Sequence, residues 1–125
     1  DEGMEARVER HRRLGRACQA GIAALGLGQV PLRPEFAAHT MTAPRLPQGV
    51  AAGDLLPRIA AAGATLAGGL HPEIRAEYFR IGHMGPTKIG DVLATLGAVE
   101  AGLSGCGYQF EMGTGVAAAA AAYYE

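Results

Sequence analysis

Arg80 is the residue of this sequence whose surroundings most favour a chemical role. It stands between Phe79 and Ile81 in a short run, 78–82, with the apolar and aromatic character of a β-strand. Because side chains alternate between the two faces of a strand, Arg80 faces away from the core if Phe79 and Ile81 face into it. A guanidinium there, followed by the glycine-bounded turn 82–85, can bind a carboxylate through two parallel hydrogen bonds.

The spacing also allows a simpler role for Arg80. A surface arginine on a strand commonly pairs with nearby carboxylates, and Glu73 and Glu77 precede it in the chain. Both interpretations, the ion pair and the carboxylate-binding group, stay open at this point.

The other reactive side chains form no recognisable catalytic or metal-binding set. The four histidines lack the spacing of metal ligands, and no cysteine pair accompanies them. Lys88 is the single lysine and lies in a predicted surface loop. The glycines of 82–85 and 113–115 lack the spacing of a dinucleotide-binding fingerprint. We therefore expect no metal site and no cofactor-binding residue in this chain.

Composition narrows the class of protein. A chain of 125 residues is long enough for one domain, and a net charge of −1 argues against nucleic-acid or membrane-surface binding. No apolar run is long enough for a membrane span. Two cysteines are too few for a disulfide scaffold, so we expect an intracellular protein, whether cytoplasmic, mitochondrial or peroxisomal. Because the sequence starts at Asp1, we expect a piece of a longer or processed protein.

The order of elements predicts an α+β fold, a small antiparallel or mixed sheet covered by helices. Periodicity and glycine or proline breaks predict helices over 4–25, 54–63 and 90–105. Short strands are predicted over 29–32, 39–43, 64–67 and 78–82. Asp54 is the predicted N-cap of the second helix, with Pro57 in its first turn. The alanine run 117–122 has high helix propensity and is expected to bury little.

The first helix is predicted to be amphipathic. Its apolar face is formed by Met4, Val8, His11, Gly15, Cys18, Ile22 and Leu25. Five arginines crowd the other sides of the helix, with glutamates among them. This basic face is either solvated or a patch that binds a partner.

Several segments together resemble the class V aminotransferases, and within them the alanine–glyoxylate and serine–glyoxylate group. The segments are Gly-Gly-Leu-His at 68–71, Tyr-Phe-Arg-Ile-Gly-His-Met-Gly at 78–85 and Asp-Val-Leu from 91. The start, 3–12, is similar to the helix by which those enzymes enter their small C-terminal domain. The resemblance covers about residues 2–103, and Arg-Ile-Gly-His-Met-Gly is its most specific part.

The resemblance implies an enzyme that uses pyridoxal phosphate, forms a homodimer and moves an amino group from alanine or serine to glyoxylate. In that family the cofactor, its Schiff-base lysine and the phosphate-binding groups belong to the large domain, so no catalytic residue is expected in this chain. Lys88 does not match that lysine. The arginine of the Arg-Ile-Gly segment binds the carboxylate of the amino or keto acid, and this role falls on Arg80.

The domain prediction that follows is a small C-terminal domain at 1–107 and a tail at 108–125. Its partners would be the rest of the aminotransferase chain, a second copy and a small amino or keto acid. Taken alone, the chain is expected to be inactive. The alternative is a non-enzymatic α+β module that binds or dimerises through the arginine-rich first helix.

Overall fold

The structure, a computed structural model that describes residues 1–125, contains four α-helices and a three-stranded sheet. The helices are α1 (Met4–Ala24), α2 (Ala52–Ala61), α3 (Ile89–Gly105) and α4 (Thr114–Tyr124). The strands are β1 (Met41–Thr42), β2 (Ala67–Gly68) and β3 (Phe79–Gly82), and a 3-10 turn spans Pro34–Phe36. The predicted α+β class is confirmed. No helix combines the length and apolar character needed to cross a membrane.

The sheet is antiparallel throughout, with β3 between β1 and β2. Thr42 of β1 pairs with Ile81, and Gly68 of β2 pairs with Phe79. Phe79 and Ile81 are both buried in the core formed with the helices. The central strand therefore has its position fixed by two apolar side chains, and this fixes the direction of Arg80 between them.

The strand predicted over 29–32 is wrong. The Val30 amide donates a hydrogen bond of 2.9 Å to the carbonyl of Ala43, and regular pairing stops there. The next residue, Pro31, has no N–H to continue a ladder, so the chain bends away toward the 3-10 turn. The strand predicted over 39–43 is shorter than expected, with two residues in β1, and the one predicted over 64–67 is misplaced, since β2 begins only at Ala67.

Helix α2 begins earlier than the sequence predicts. Its N-cap is Ala51, so the assignment of Asp54 as N-cap is wrong. Asp54 lies in the first turn, where its carboxylate still interacts favourably with the helix dipole. Pro57 consequently lies inside the helix and not in its first turn. At this interior position it removes one backbone hydrogen bond.

Helix α1 confirms the first predicted helix, and from His11 onward it packs through the predicted face, widened by Leu14, Ala17 and Gly21. Its buried residues are His11, Leu14, Gly15, Ala17, Cys18, Gly21 and Ile22. Met4 and Val8 are 71% and 46% exposed, so their predicted packing is wrong. The reason is that the sheet, α3 and α4 cover only the part of α1 from the third turn onward.

Helix α4 is formed by the alanine-rich segment and packs along α1. Ala119 is fully buried, which differs from the low burial expected of the alanine run. Gly21 and Gly115 allow the close approach, because a Cβ on Gly21 would lie 2.9 Å from the Gly115 carbonyl oxygen. At the other end, Arg13 donates to the Tyr123 carbonyl at 2.8 Å and stacks 4.3 Å from the centroid of its ring.

Candidate functional site

Arg80 lies on the face of β3 opposite the core, as strand alternation predicts. Phe79 is 0% and Ile81 2% exposed, while Arg80 between them is half-buried. Its neighbour on β2 is Ala67, whose small side chain leaves room beside the arginine. Backbone geometry therefore directs a single positive charge away from the core of the domain.

One hydrogen bond holds the Arg80 guanidinium in place. Its Nε donates to the carbonyl oxygen of Gly68 at 2.7 Å, across the β2–β3 pair. The two terminal amino groups make no hydrogen bond in the structure. The ion pairs considered for Arg80 with Glu73 or Glu77 are not formed. Arg80 is therefore oriented and still has its two parallel donors available.

These donors belong to an open cleft of about 530 Å³. The cleft is lined by Met41, Gly63, Ala64, Thr65, Leu66, Ala67, Arg80, Gly82, Met84 and Thr95. Arg80 is the one charged residue in this lining. The cleft thus combines apolar walls with one uncompensated positive charge, which suits a small molecule that carries a carboxylate.

Tyr78 fixes the Gly-Gly segment beside the cleft. Its hydroxyl oxygen accepts hydrogen bonds from the backbone amides of Leu70 (3.0 Å) and His71 (3.1 Å). These donors, with a smaller contribution from the charge of Arg80, lower the pKa of Tyr78 below its usual value. Gly69 has to be glycine here, because a Cβ would lie 2.5 Å from the Arg75 carbonyl oxygen. This position for Tyr78 was not predicted, since the aromatic residue also fits a plain strand start.

His83 closes the other edge of the sheet. It is 1% exposed, and its Nε2 lies 2.8 Å from the hydroxyl of Thr42, which is 2% exposed. The backbone amide of His83 donates to the Thr40 carbonyl at 2.8 Å. Burial lowers the pKa of His83, so the neutral ring is favoured. His83 therefore acts as a buried link between β1 and the residues that follow β3.

The structure contains no group of three or more histidine, cysteine or acidic residues that could bind a metal. Lys88 is exposed, directly before α3, and does not line the Arg80 cleft. Its backbone amide donates to the Asp91 carboxylate at 2.8 Å. The residues present in this chain therefore do not fit a pyridoxal phosphate site of their own.

The arginines of α1 mostly contact other parts of this chain. Arg10 binds the Glu2 carboxylate, and Arg12 binds Glu9 at 3.1 Å. Arg13 is used in docking α4. Since these contacts are internal, they give no support to a partner-binding arginine patch.

No protein-family model matches this chain. Individual curated proteins, however, match it over nearly its whole length. A serine–glyoxylate aminotransferase of Arabidopsis thaliana is 34% identical over 120 residues, which is 95% of this chain and 30% of that protein. A protein of Synechococcus sp. named as the small subunit of a soluble hydrogenase is 39% identical over 124 residues, 94% of this chain and 30% of its own length.

Solved structures agree with these sequence relatives. Ureidoglycine–glyoxylate aminotransferase from Bacillus subtilis has a TM-score of 0.90 at 30% identity, covering 99% of this chain and 32% of that one. Pyridoxamine–pyruvate aminotransferase from Mesorhizobium loti has a TM-score of 0.91 at 33% identity, covering 97% and 31%. The chain spans about 30% of the length of the curated relatives it matches. The resemblance stated from the sequence is confirmed, and the chain belongs to the class V aminotransferases.

Proposed function

We propose that this chain is the small C-terminal domain, with its tail, of a pyridoxal-phosphate aminotransferase that moves an amino group from alanine or serine to glyoxylate. The observation that carries the proposal is Arg80, oriented by its bond to Gly68 and with two free donors on an apolar cleft. The aminotransferase relatives that share the fold act on glyoxylate or pyruvate according to their names. All of these small substrates carry a carboxylate next to the reacting carbon.

In this proposal Arg80 binds the carboxylate of both the amino donor and the keto-acid acceptor. A planar guanidinium matches a carboxylate in two parallel hydrogen bonds, which fixes the orientation of the molecule as well as its position. The Nε–Gly68 bond holds the donors in place before the substrate arrives, so less side-chain entropy is lost on binding.

We place the cofactor and its lysine in the remainder of the aminotransferase, since the residues of this chain do not fit that site. We expect residues 1–107 to form the domain proper and 108–125 the tail, and we expect a homodimer. By itself the chain should have no transaminase activity.

The test is substitution of Arg80 in the complete protein. Arg80→Ala should lower kcat/KM for the amino donor by roughly 30- to 5,000-fold, which corresponds to about 2–5 kcal/mol. Arg80→Lys should recover only part of this loss, because an ammonium lacks the planar fork. Arg75→Ala is the matched control, since Arg75 is exposed and does not line the cleft.

Absorbance of the bound cofactor should be the same in the parent and the Arg80 variants. A parent-like kcat/KM in Arg80→Ala, or loss of the cofactor in that variant, would contradict the assignment.

A further inference from the structure

Arg10 on α1 makes more side-chain hydrogen bonds than any other arginine of the chain. Its Nη1 donates to the carbonyl oxygens of Gly85 at 3.0 Å and Thr87 at 2.7 Å. Its Nε and Nη2 donate to the two carboxylate oxygens of Glu2 at 2.7 and 3.0 Å. The side chain is 21% exposed. One guanidinium therefore joins three segments: the start of the chain, α1 and the turn after β3.

The turn that Arg10 holds connects β3 to α3. Within it, the Thr87 hydroxyl donates to the Met84 carbonyl at 2.8 Å, and Gly85 takes a φ of +76°, which other residues rarely adopt. The Gly85 and Thr87 carbonyls have no other hydrogen-bond donor in the structure. The two bonds from Arg10 are thus the polar connection between α1 and this turn.

The same turn forms a wall of the Arg80 cleft. Met84 of the turn lines the cleft beside Gly82, the last residue of β3, and Met84 is 62% exposed. A change in the path of this turn would move Met84 relative to the guanidinium of Arg80. A carboxylate held by two parallel hydrogen bonds tolerates little displacement of its surroundings. Such a movement of Met84 would therefore weaken substrate binding strongly.

Building on the function proposed above, we propose that Arg10 is a positioning residue. It holds the turn from Met84 to Thr87 against α1 and thereby fixes the part of the cleft wall that Met84 forms. Arg10 itself does not line the cleft, so it acts through the turn and not on the substrate.

Glu2 orients the Arg10 guanidinium for this task. The fork-to-carboxylate contact uses Nε and Nη2, which leaves Nη1 directed at the two carbonyls. The hydrogen bond to Arg10 lowers the pKa of Glu2 and so favours the ionised carboxylate that this contact uses. Glu2→Gln should therefore raise KM for the amino donor as a substitution of Arg10 does, but by less.

The experiment uses the complete protein with Arg10→Ala, Arg10→Lys and Arg12→Ala. Arg12 is the matched control, because it lies on the same helix and pairs only with Glu9 at the surface. We expect Arg10→Ala to raise KM for the amino donor about 10-fold or more while kcat changes much less. Arg10→Lys should be intermediate, since one ammonium cannot bind Glu2 in a fork and also both carbonyls. Arg12→Ala should match the parent.

Amide hydrogen exchange supplies a readout that is independent of activity. In Arg10→Ala the amides of His83 and Lys88, at the two ends of the turn, should exchange faster, because both are hydrogen-bonded, to the Thr40 carbonyl and the Asp91 carboxylate. The amides of the buried part of α1 should keep their protection. An unchanged KM, or unchanged exchange at His83 and Lys88, would overturn the proposal. If Arg10→Ala is unfolded throughout, Arg10→Lys takes its place, and a parent-like KM in that variant overturns the proposal equally.

The two proposals fail in distinguishable ways. If the complete parent protein shows no transamination, the proposed function fails. The exchange rates at His83 and Lys88 then still show whether Arg10 holds the turn.

Discussion

The Oε1 atom of Glu100 lies 2.8 Å from the amide nitrogen of Gly113, and 3.3 Å from that of Gly115. Glu100 belongs to α3 and is 2% exposed. The two amides are at the start of α4, where backbone N–H groups have no partner within the helix. A buried carboxylate on one helix therefore caps the next and is also favoured by its dipole.

Glu100→Ala should lower the free energy of unfolding by about 1–3 kcal/mol, because the buried amide of Gly115 and the partly buried contact to the Gly113 amide lose their acceptor. Glu100→Gln should lose less, since the amide oxygen can still accept while the charge is gone. Urea titration followed by circular dichroism measures both variants. Glu111→Ala is the control, as its side chain is exposed and makes no hydrogen bond. A Glu100→Ala variant as stable as the control would show that the capping contact contributes nothing.

The contact between α1 and α4 should be sensitive to a single methyl group at Gly21. A Cβ there would lie 2.6 Å from the Leu96 Cδ1 atom and 2.9 Å from the Gly115 carbonyl oxygen. Backbone cannot move aside as a side chain can, so Gly21→Ala should destabilise the protein by about 1–3 kcal/mol.

Gly97→Ala is the matched control for Gly21→Ala. Gly97 lies inside α3 with no atom within 4 Å of a Cβ, so the better helix propensity of alanine should stabilise by about 0.5–1 kcal/mol. Thermal melts of both variants provide the comparison. Equal melting temperatures for the two would contradict the close approach of α1 and α4.

Stability should fall as the pH drops below about 6.5, because His83 is buried and its pKa is lowered from 6.5. As the pH decreases, the unfolded chain takes up the proton first, while the folded chain keeps His83 neutral. The stability that neutral His83 contributes is therefore fully present above pH 6.5. It is lost as the pH falls toward the pKa of His83 in the folded protein. Unfolding free energies measured from pH 8 to pH 5 should show this loss.

The control for His83 is His71, which is exposed in the loop before β3. His83→Asn should reduce the pH dependence, and His71→Asn should leave it as in the parent. If His83→Asn kept the full decline between pH 6.5 and 5, another group would be responsible.

The main helices and the central strand could be predicted from sequence because their signals are local. The periodicity of α1 and α3 and the Phe79–Arg80–Ile81 alternation report directly on which side of an element is apolar. The Arg-Ile-Gly-His-Met-Gly segment also carried the resemblance to class V aminotransferases, which the comparisons confirmed. The role of Arg80 remains a prediction that its geometry supports.

The residues at which elements begin, and the roles of small residues, were decided by tertiary packing and not by local sequence. Asp54 looked like an N-cap, but the first helical residues of α2 come before it. The alanine run gave no sign of a partner, and its burial depends on Gly21 and Gly115, which meet only when α1 and α4 pack together. A glycine in a sequence shows that a side chain is absent, but it does not show which element will pack closely against that position.

By itself, the sequence determined the α+β class, the family and the direction in which Arg80 points, since alternation within one strand needs no distant residue. Tertiary structure alone decided what holds that arginine and its surroundings. The Gly68 carbonyl, the hydroxyl of Tyr78, and the bonds from Arg10 to residues 85 and 87 bring together groups up to 77 positions apart. Hydrogen bonds of that kind depend on the path of the backbone in space, and no local pattern of residue types encodes it.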